Sequence, residues 1–257
     1  MIEFPDQLVT TLRRAKRVAV LTGAGISAES GIPTFRDAQT GFWARFRAED
    51  LATVEAFERD PQLVWDWYAM RREMVQTAQP NAGHYALAAL ARHIPTLTLI
   101  TQNVDGLHEA AGSADVLELH GNIGRVKCFA EGTVVPETEW VLGDGVPRCP
   151  HCAALLRPDV VWFGEMLPQN TFRRAEKACR EAQVVFSIGT SGLVPPAATL
   201  PLLAMAAGAI GVEINLDATY LSDQFDYTVR GPSGVILPAL VRTVWAGNGA
   251  AEMGNRS

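Results

Sequence analysis

Val18-Ala-Val-Leu-Thr22-Gly23-Ala24-Gly25-Ile-Ser27-Ala28 is the stretch whose reading decides the fold. A β-branched apolar run bounded by glycine reads as a buried strand. Gly23-x-Gly25-x-x-Ala28 then matches the G-x-G-x-x-G/A pattern of a dinucleotide-binding turn, placed between a strand and a helix start as that pattern requires. The glycines let the backbone approach a pyrophosphate, and a helix N-terminus supplies N–H donors. A tight turn without a ligand is the alternative. An ordinary dehydrogenase also carries an acidic residue about 20 positions on, at the end of a second strand. Gly41-Phe-Trp-Ala-Arg45 occupies that region here. The turn runs instead into Gly31-Ile-Pro-Thr34-Phe35-Arg36, a loop with no place in a simple βαβ unit.

Outward from this turn, strands and helices alternate. A helix is expected over Asp6 to Arg17, with Leu8, Val9 and Leu12 on one face. Helical character runs from Phe42 to Thr77, and Asn81 caps a helix from Ala82 to His93. Leu97 to Thr101 and Val116 to His120 read as strands. Residues 123–158 have little periodicity and carry three cysteines, and regular structure resumes at Val160 to Phe163. A helix near Asn170 to Ala182 leads to a strand at Val184 to Ile188. Another, near Pro195 to Ala207, leads to Ile210 to Ile214. This order predicts an α/β fold, a Rossmann-like parallel sheet with helices on both faces. Residues 36–75 and 123–158 break the alternation and are candidates for a smaller domain. The large domain would then comprise 1–35, 76–122 and 159–245, followed by a flexible tail, 246–257.

The 257 residues carry a formal charge of −6, which gives no drive toward nucleic acid or an anionic membrane. No apolar run reaches the roughly 18–20 residues of a spanning helix. The N-terminus lacks the apolar core of a signal peptide. A cytoplasmic, monomeric protein is expected. Cysteines 128, 149, 152 and 179 are too few for a disulfide scaffold, and their spacing points to metal first.

Several blocks fall together in order: Gly23-Ala-Gly-Ile-Ser27, Gly31-Ile-Pro-Thr-Phe-Arg36, Thr101-Gln-Asn-Val-Asp-Gly-Leu-His108, Leu119-His-Gly-Asn122, Val161-Trp-Phe-Gly-Glu165, Gly189-Thr-Ser191 and Asn215-Leu216. Over about residues 8–245 the chain resembles the sirtuin family of NAD-dependent protein-lysine deacylases. The resemblance implies a Rossmann-type domain beside a small domain of a helical and a zinc-type insert, with NAD as a consumed cosubstrate in the cleft. It also implies a reaction in which the acyl oxygen attacks ribose C1′ and neutral nicotinamide leaves. A base then deprotonates a ribose hydroxyl, giving lysine and O-acyl-ADP-ribose.

His120 matches that base, and its imidazole suits proton transfer near neutral pH. Asn103 and Asp105 match the positions at the nicotinamide end, so the catalytic set is His120, Asn103 and Asp105. Asp105 also reads as an Asx-turn residue before Gly106. The resemblance assigns cofactor contacts to Gly23, Ala24, Gly25, Ser27, Thr34, Phe35, Arg36, Gln102, Gly189, Thr190, Ser191, Asn215, Leu216 and Ser233. Phe35 would shield C1′ from water. Val161, Trp162, Phe163 and Gly164 would pair with the substrate backbone as an added strand. His84, His93 and His108 read as structural.

Tyr68-Ala-Met-Arg71 narrows the acyl group. Positions i and i+3 share a helix face. In the succinyl- and malonyl-removing branch, a Tyr-x-x-Arg pair holds the acyl carboxylate with a bidentate guanidinium and a phenol donor. Ala56 matches a small residue that leaves room for the longer chain. Desuccinylation and demalonylation, with deacetylation retained, are therefore expected. The alternative is a tyrosine in the aromatic face beside Trp65 and a solvated arginine. The family's two Cys-x-x-Cys pairs are incomplete here. Cys149-Pro-His-Cys152 is present, but Cys128 is followed by Glu131 where a cysteine belongs. Structural zinc would need Cys128, Cys149 and Cys152 plus Glu131 or His151. A mono-ADP-ribosyltransferase and a non-catalytic NAD-binding sensor are the competing functions.

Overall fold

A computed structural model describes residues 2–33 and 47–245. The expectations for Thr34, Phe35 and Arg36, and for the tail, lie outside the described residues. In chain order the elements are α1 (Asp6–Arg14), β1 (Arg17–Thr22), α2 (Ala48–Leu51), α3 (Val54–Arg59), α4 (Pro61–Thr77), α5 (Ala82–Leu90), β2 (Thr96–Thr101), α6 (Leu107–Ala110), β3 (Leu117–Glu118) and β4 (Gly121–Cys128). There follow β5 (Leu156–Val160), α7 (Gln169–Glu181), β6 (Val184–Ile188), α8 (Leu200–Ala206), β7 (Ile210–Asn215), β8 (Tyr227–Arg230) and α9 (Ser233–Trp245).

The main sheet is parallel, in the order β3-β2-β1-β6-β7-β8. Alternation along each strand feeds both faces. Val18 and Val20 join Val184 and Phe186 in a core with Leu8 and Leu12 of α1, Leu87 and Leu90 of α5, and Leu237 and Leu240 of α9. Ala19, Leu21 and Val185 point the other way, onto Ala175 and Cys179 of α7 and Leu200 and Ala204 of α8. At roughly 1.5–3 kcal/mol per buried aliphatic side chain, these two layers drive the fold. A third core joins Leu51, Phe57, Val64, Trp67 and Tyr68 to Ile123, Val160 and Trp162. A fourth joins Val126, Cys128, Val135, Cys149 and Leu156. β4 and β5 form a separate antiparallel pair.

Several expectations need correction. The segment after Gly25 is two 3-10 turns, Ala24–Ile26 and Ala28–Ser30, closed by Gly31 at φ 80°. No long helix dipole therefore stands behind the glycine turn. The stretch up to Thr77 breaks into α2, α3 and α4 because Thr53 and Asp60 each cap a new helix N-terminus, accepting from Ala56 and Leu63. The third strand shrinks to Leu117–Glu118. The strand expected at Val160 lies earlier, at Leu156–Val160, and the near-aperiodic insert contributes its partner β4. The helix before β7 begins as a 3-10 turn, Ala197–Thr199. β8 and α9 are additional to the sequence reading.

Candidate active site

The chain leaves β1 for β2 and β3 on one side, then crosses back to β6 on the other. The sheet's switch point thus falls between β1 and β6, where open α/β sheets bind ligands beyond the strand C-termini. Thr22 is in register with Thr101 and Ile188, and Ile188 with Ile214. Gly23, Gln102 and Gly189 lie just past these ends and Asn215 is the last residue of β7; all were singled out from sequence.

The two turns at the switch point touch backbone to backbone. Gly25 N–H donates to the Gly189 carbonyl at 2.8 Å, and Gly23 N–H to Ile188 at 3.0 Å. A Cβ on Gly25 would lie 2.7 Å from Gly189 Cα, and one on Gly23 2.7 Å from Thr190 Cβ. Contact between turns, as much as approach to a phosphate, thus demands these glycines.

A buried polar ring lies beside them. Asn103 Nδ2 donates to the Gly23 carbonyl and to Ser27 Oγ, both at 3.1 Å. Ser27 Oγ donates to Asp105 Oδ2 at 2.7 Å. Asp105 Oδ1 accepts from Leu107 N at 3.0 Å. The Asx turn and the bond to Ser27 therefore coexist on one carboxylate. His84 Nδ1 accepts from Asn81 N in a capping box. Its proton is then on Nε2, 3.5 Å from Ser27 Oγ. Behind the ring, Thr22 Oγ1 meets Thr101 Oγ1 and His108 Nε2, each at 2.9 Å. The His84 and His108 rings pack at a tilt of 59° with centroids 4.9 Å apart. Sequence reasoning treated these two histidines as isolated structural residues; no local signal announces their shared network.

His120 follows β3. Gly121, at φ 79°, turns the chain there; a Cβ on it would collide with the Asp159 carbonyl oxygen. His120 Nδ1 is 3.0 Å from the Gln102 carbonyl. A carbonyl only accepts, so Nδ1 carries the proton and Nε2 a lone pair. Burial holds the pKa below the ordinary histidine value, with the Gln102 bond opposing it. The ring is thus the neutral form that a general base requires near pH 7.

On the β6–β7 side, Gln102 Nε2 donates to Thr190 Oγ1 at 2.9 Å and Asn215 Nδ2 to the Thr190 carbonyl at 3.0 Å. Ser191 and Leu216 are exposed at the rim. Ser233 instead turns to Glu29, which also accepts from Gly234 N. Sequence reasoning missed Glu213. It is buried in β7 and accepts from Thr219, Ser222 and Arg230, each at 2.6 Å, which ties down the loop after Asn215.

On the other side of His120, Ala56 and Tyr68 are buried in the third core. Trp162 Nε1 donates to Tyr68 Oη at 3.0 Å. Burial raises the phenol's pKa, so it stays protonated. The Arg71 guanidinium lies 5.0 Å from the Trp67 ring centre. In Val161–Gly164, Val161 N donates to the His120 carbonyl, Trp162 N to Glu165 and Phe163 N to the Ala52 carbonyl. Three of the four N–H groups in the segment expected to pair with a substrate strand are thus engaged within the chain. Gly164 N–H has no acceptor among the described residues.

The ligand atoms of Cys128, Glu131, Cys149 and Cys152 lie within 4.8 Å of one another. His151 is not in this group. Three thiolates and a carboxylate, closely placed, suit a tetrahedral structural zinc ion. Cys179 is on the buried face of α7, apart from the set.

These features define a nucleotide-binding α/β enzyme with its site at the sheet's switch point. A model of the Sir2 family matches residues 23–196. The chain is 48% identical over 255 residues to an NAD-dependent protein deacylase of Methylococcus capsulatus, covering 95% of this chain and 98% of that one. A solved Sir2 homolog–NAD complex matches with TM-score 0.89 and 45% identity, covering 95% of each chain. A structure of Sir2 bound to acetylated peptide matches with TM-score 0.83 and 29% identity, over 94% of this chain and 98% of that one. The chain belongs to the Sir2 family.

Proposed function

We propose that this protein is an NAD-dependent protein-lysine deacylase. The observation that carries the reading is the His120 ring. Gln102 fixes its tautomer, and the segment that follows Gln102 carries Asn103 and Asp105, both bonded to Ser27. In this reading His120 Nε2 takes the proton from a ribose hydroxyl. Asn103 and Asp105 orient the nicotinamide end, each held by Ser27. The glycine turn at Gly23–Gly25 and the residues Gln102, Gly189, Thr190, Ser191, Asn215 and Leu216 hold the rest of NAD. The cleft lies between the large unit (1–35, 76–122, 159–245) and a small unit (36–75, 123–158) in which Cys128, Glu131, Cys149 and Cys152 would hold zinc as a structural brace. An acyl-lysine peptide enters beside Val161–Gly164, using Gly164 N–H. No helix among the described residues is long and apolar enough to cross a membrane.

For the acyl group we propose a preference for succinyl and malonyl over acetyl. Tyr68 and Arg71 share a face of α4 near small, buried Ala56, and burial keeps Tyr68 a donor. The test is a panel of acyl-lysine peptides assayed with and without NAD, wild type against His120→Tyr and Arg71→Met. NAD-dependent turnover that His120→Tyr abolishes supports the deacylase reading; full turnover in that variant refutes it. Unchanged desuccinylation in Arg71→Met refutes the carboxylate clamp alone.

A further inference from the structure

We propose that Trp162 is a positioning residue for acidic acyl groups, acting by directing the hydroxyl proton of Tyr68 toward the acyl carboxylate. This rests on the Tyr68/Arg71 clamp proposed above.

A phenol oxygen can accept and donate at once. The Trp162 indole N–H occupies an acceptor position on Tyr68 Oη at 3.0 Å. The hydroxyl proton must then point elsewhere, and among the described residues it meets no acceptor. The acyl carboxylate of a clamped substrate supplies one. Without the indole donor, the hydroxyl is no longer oriented and polarised before the carboxylate arrives, so the bond to it forms at a greater ordering cost and is weaker.

The indole is itself held. The Arg157 guanidinium lies 3.2 Å from its ring centre, and the Phe57 ring packs 5.3 Å from it. Arg157 is 3% exposed and forks onto Glu165, with Nη1 to Oε1 at 2.5 Å and Nη2 to Oε2 at 2.9 Å. Its Nη2 also donates to the Val160 carbonyl at 2.7 Å. Glu165 Oε2 closes the clip by accepting from Trp162 N at 2.7 Å. Orientation therefore passes from Glu165 through Arg157 and Trp162 to Tyr68. An acetyl group has no carboxylate to receive the proton, so the device bears on acidic acyl groups alone.

The test uses succinyl- and acetyl-lysine peptides of one sequence and reads the ratio of their kcat/KM values. That ratio cancels losses of folded enzyme and general defects in peptide binding. Trp162→Phe is expected to lower the succinyl/acetyl ratio about two- to threefold, mainly through the succinyl KM, the size of a less preorganised and less polarised hydrogen bond. In a Tyr68→Phe background the same change should leave the ratio where it is. Placing 3-benzothienylalanine at position 162, which puts sulfur where the N–H was, repeats the test without a change of packing. An unmoved ratio with either replacement overturns the proposal, as does an equal fall in the Tyr68→Phe background. Arg71→Met tells the two levels apart. If it leaves the ratio unchanged, the clamp fails and this inference with it. If it lowers the ratio while Trp162 replacement does not, the inference alone fails.

Discussion

Acidification from pH 7 to pH 5 should destabilise the fold by about 2 kcal/mol through His108 alone, at 1.36 kcal/mol per pKa unit. His108 is 1% exposed, and its Nδ1 has no hydrogen-bond partner. Thr22 donates its hydroxyl to Thr101, so His108 Nε2–H donates to Thr22 and Nδ1 holds a lone pair. Protonating Nδ1 would bury an unpaired charge beside His84, and the pKa falls to about 3, first through burial and then through His84. An unfolded histidine titrates near 6.5. Between these values the unfolded chain binds a proton that the folded chain does not. The stabilisation is present above the unfolded value and is lost as pH falls toward the folded one. Urea unfolding of wild type and His108→Gln at pH 7, 6 and 5 isolates the effect. Whatever its stability at pH 7, the variant's stability should fall by about 2 kcal/mol less between pH 7 and 5. An identical pH slope in the two proteins would refute the reasoning, as would an NMR titration placing His108 near 6.5.

Gly25→Ala forces a Cβ to 2.7 Å from Gly189 Cα; it should cost about 1–3 kcal/mol in urea unfolding and raise the KM for NAD. Glu213→Ala leaves Arg230 and two hydroxyls without their shared acceptor. It should cost about 2–3 kcal/mol, discounted for the partial exposure of Arg230, and lower the Tm by several degrees in calorimetry. Purified protein should contain one zinc ion per chain by metal analysis. Glu131→Gln should release zinc to a chelating dye faster than wild type, while equal release rates would remove Glu131 from the ligand set.

Legibility varied with the kind of signal. The β1 turn was readable from its glycine pattern after a strand, whereas Asn103, Asp105 and His120 stood out only through the blocks that carry the family resemblance. The parallel sheet was readable because Val18–Leu21 and Val184–Ile188 are buried on both faces and leave near-continuous apolar runs. α9 went unread because it is apolar almost all round and carries Pro238 inside it. β4 went unread because a bulge between Asn122 and Val126 breaks the alternation that marks a strand, and β5 was placed a few residues too late. The partners within the site were the hardest to foresee. Glu213 with Arg230, Arg157 with Glu165, and His84 with Ser27 meet only through the fold. Glu131, by contrast, was visible as a departure from a cysteine pattern, and it stands with the three thiols.

The most direct measurement is product stoichiometry by mass spectrometry, with a succinyl-lysine peptide and NAD supplied together. One nicotinamide, one free lysine and one O-acyl-ADP-ribose should form per NAD consumed, and nothing should form without NAD. Deacylation that leaves NAD intact, or ADP-ribose found on protein in place of the O-acyl product, would contradict the account.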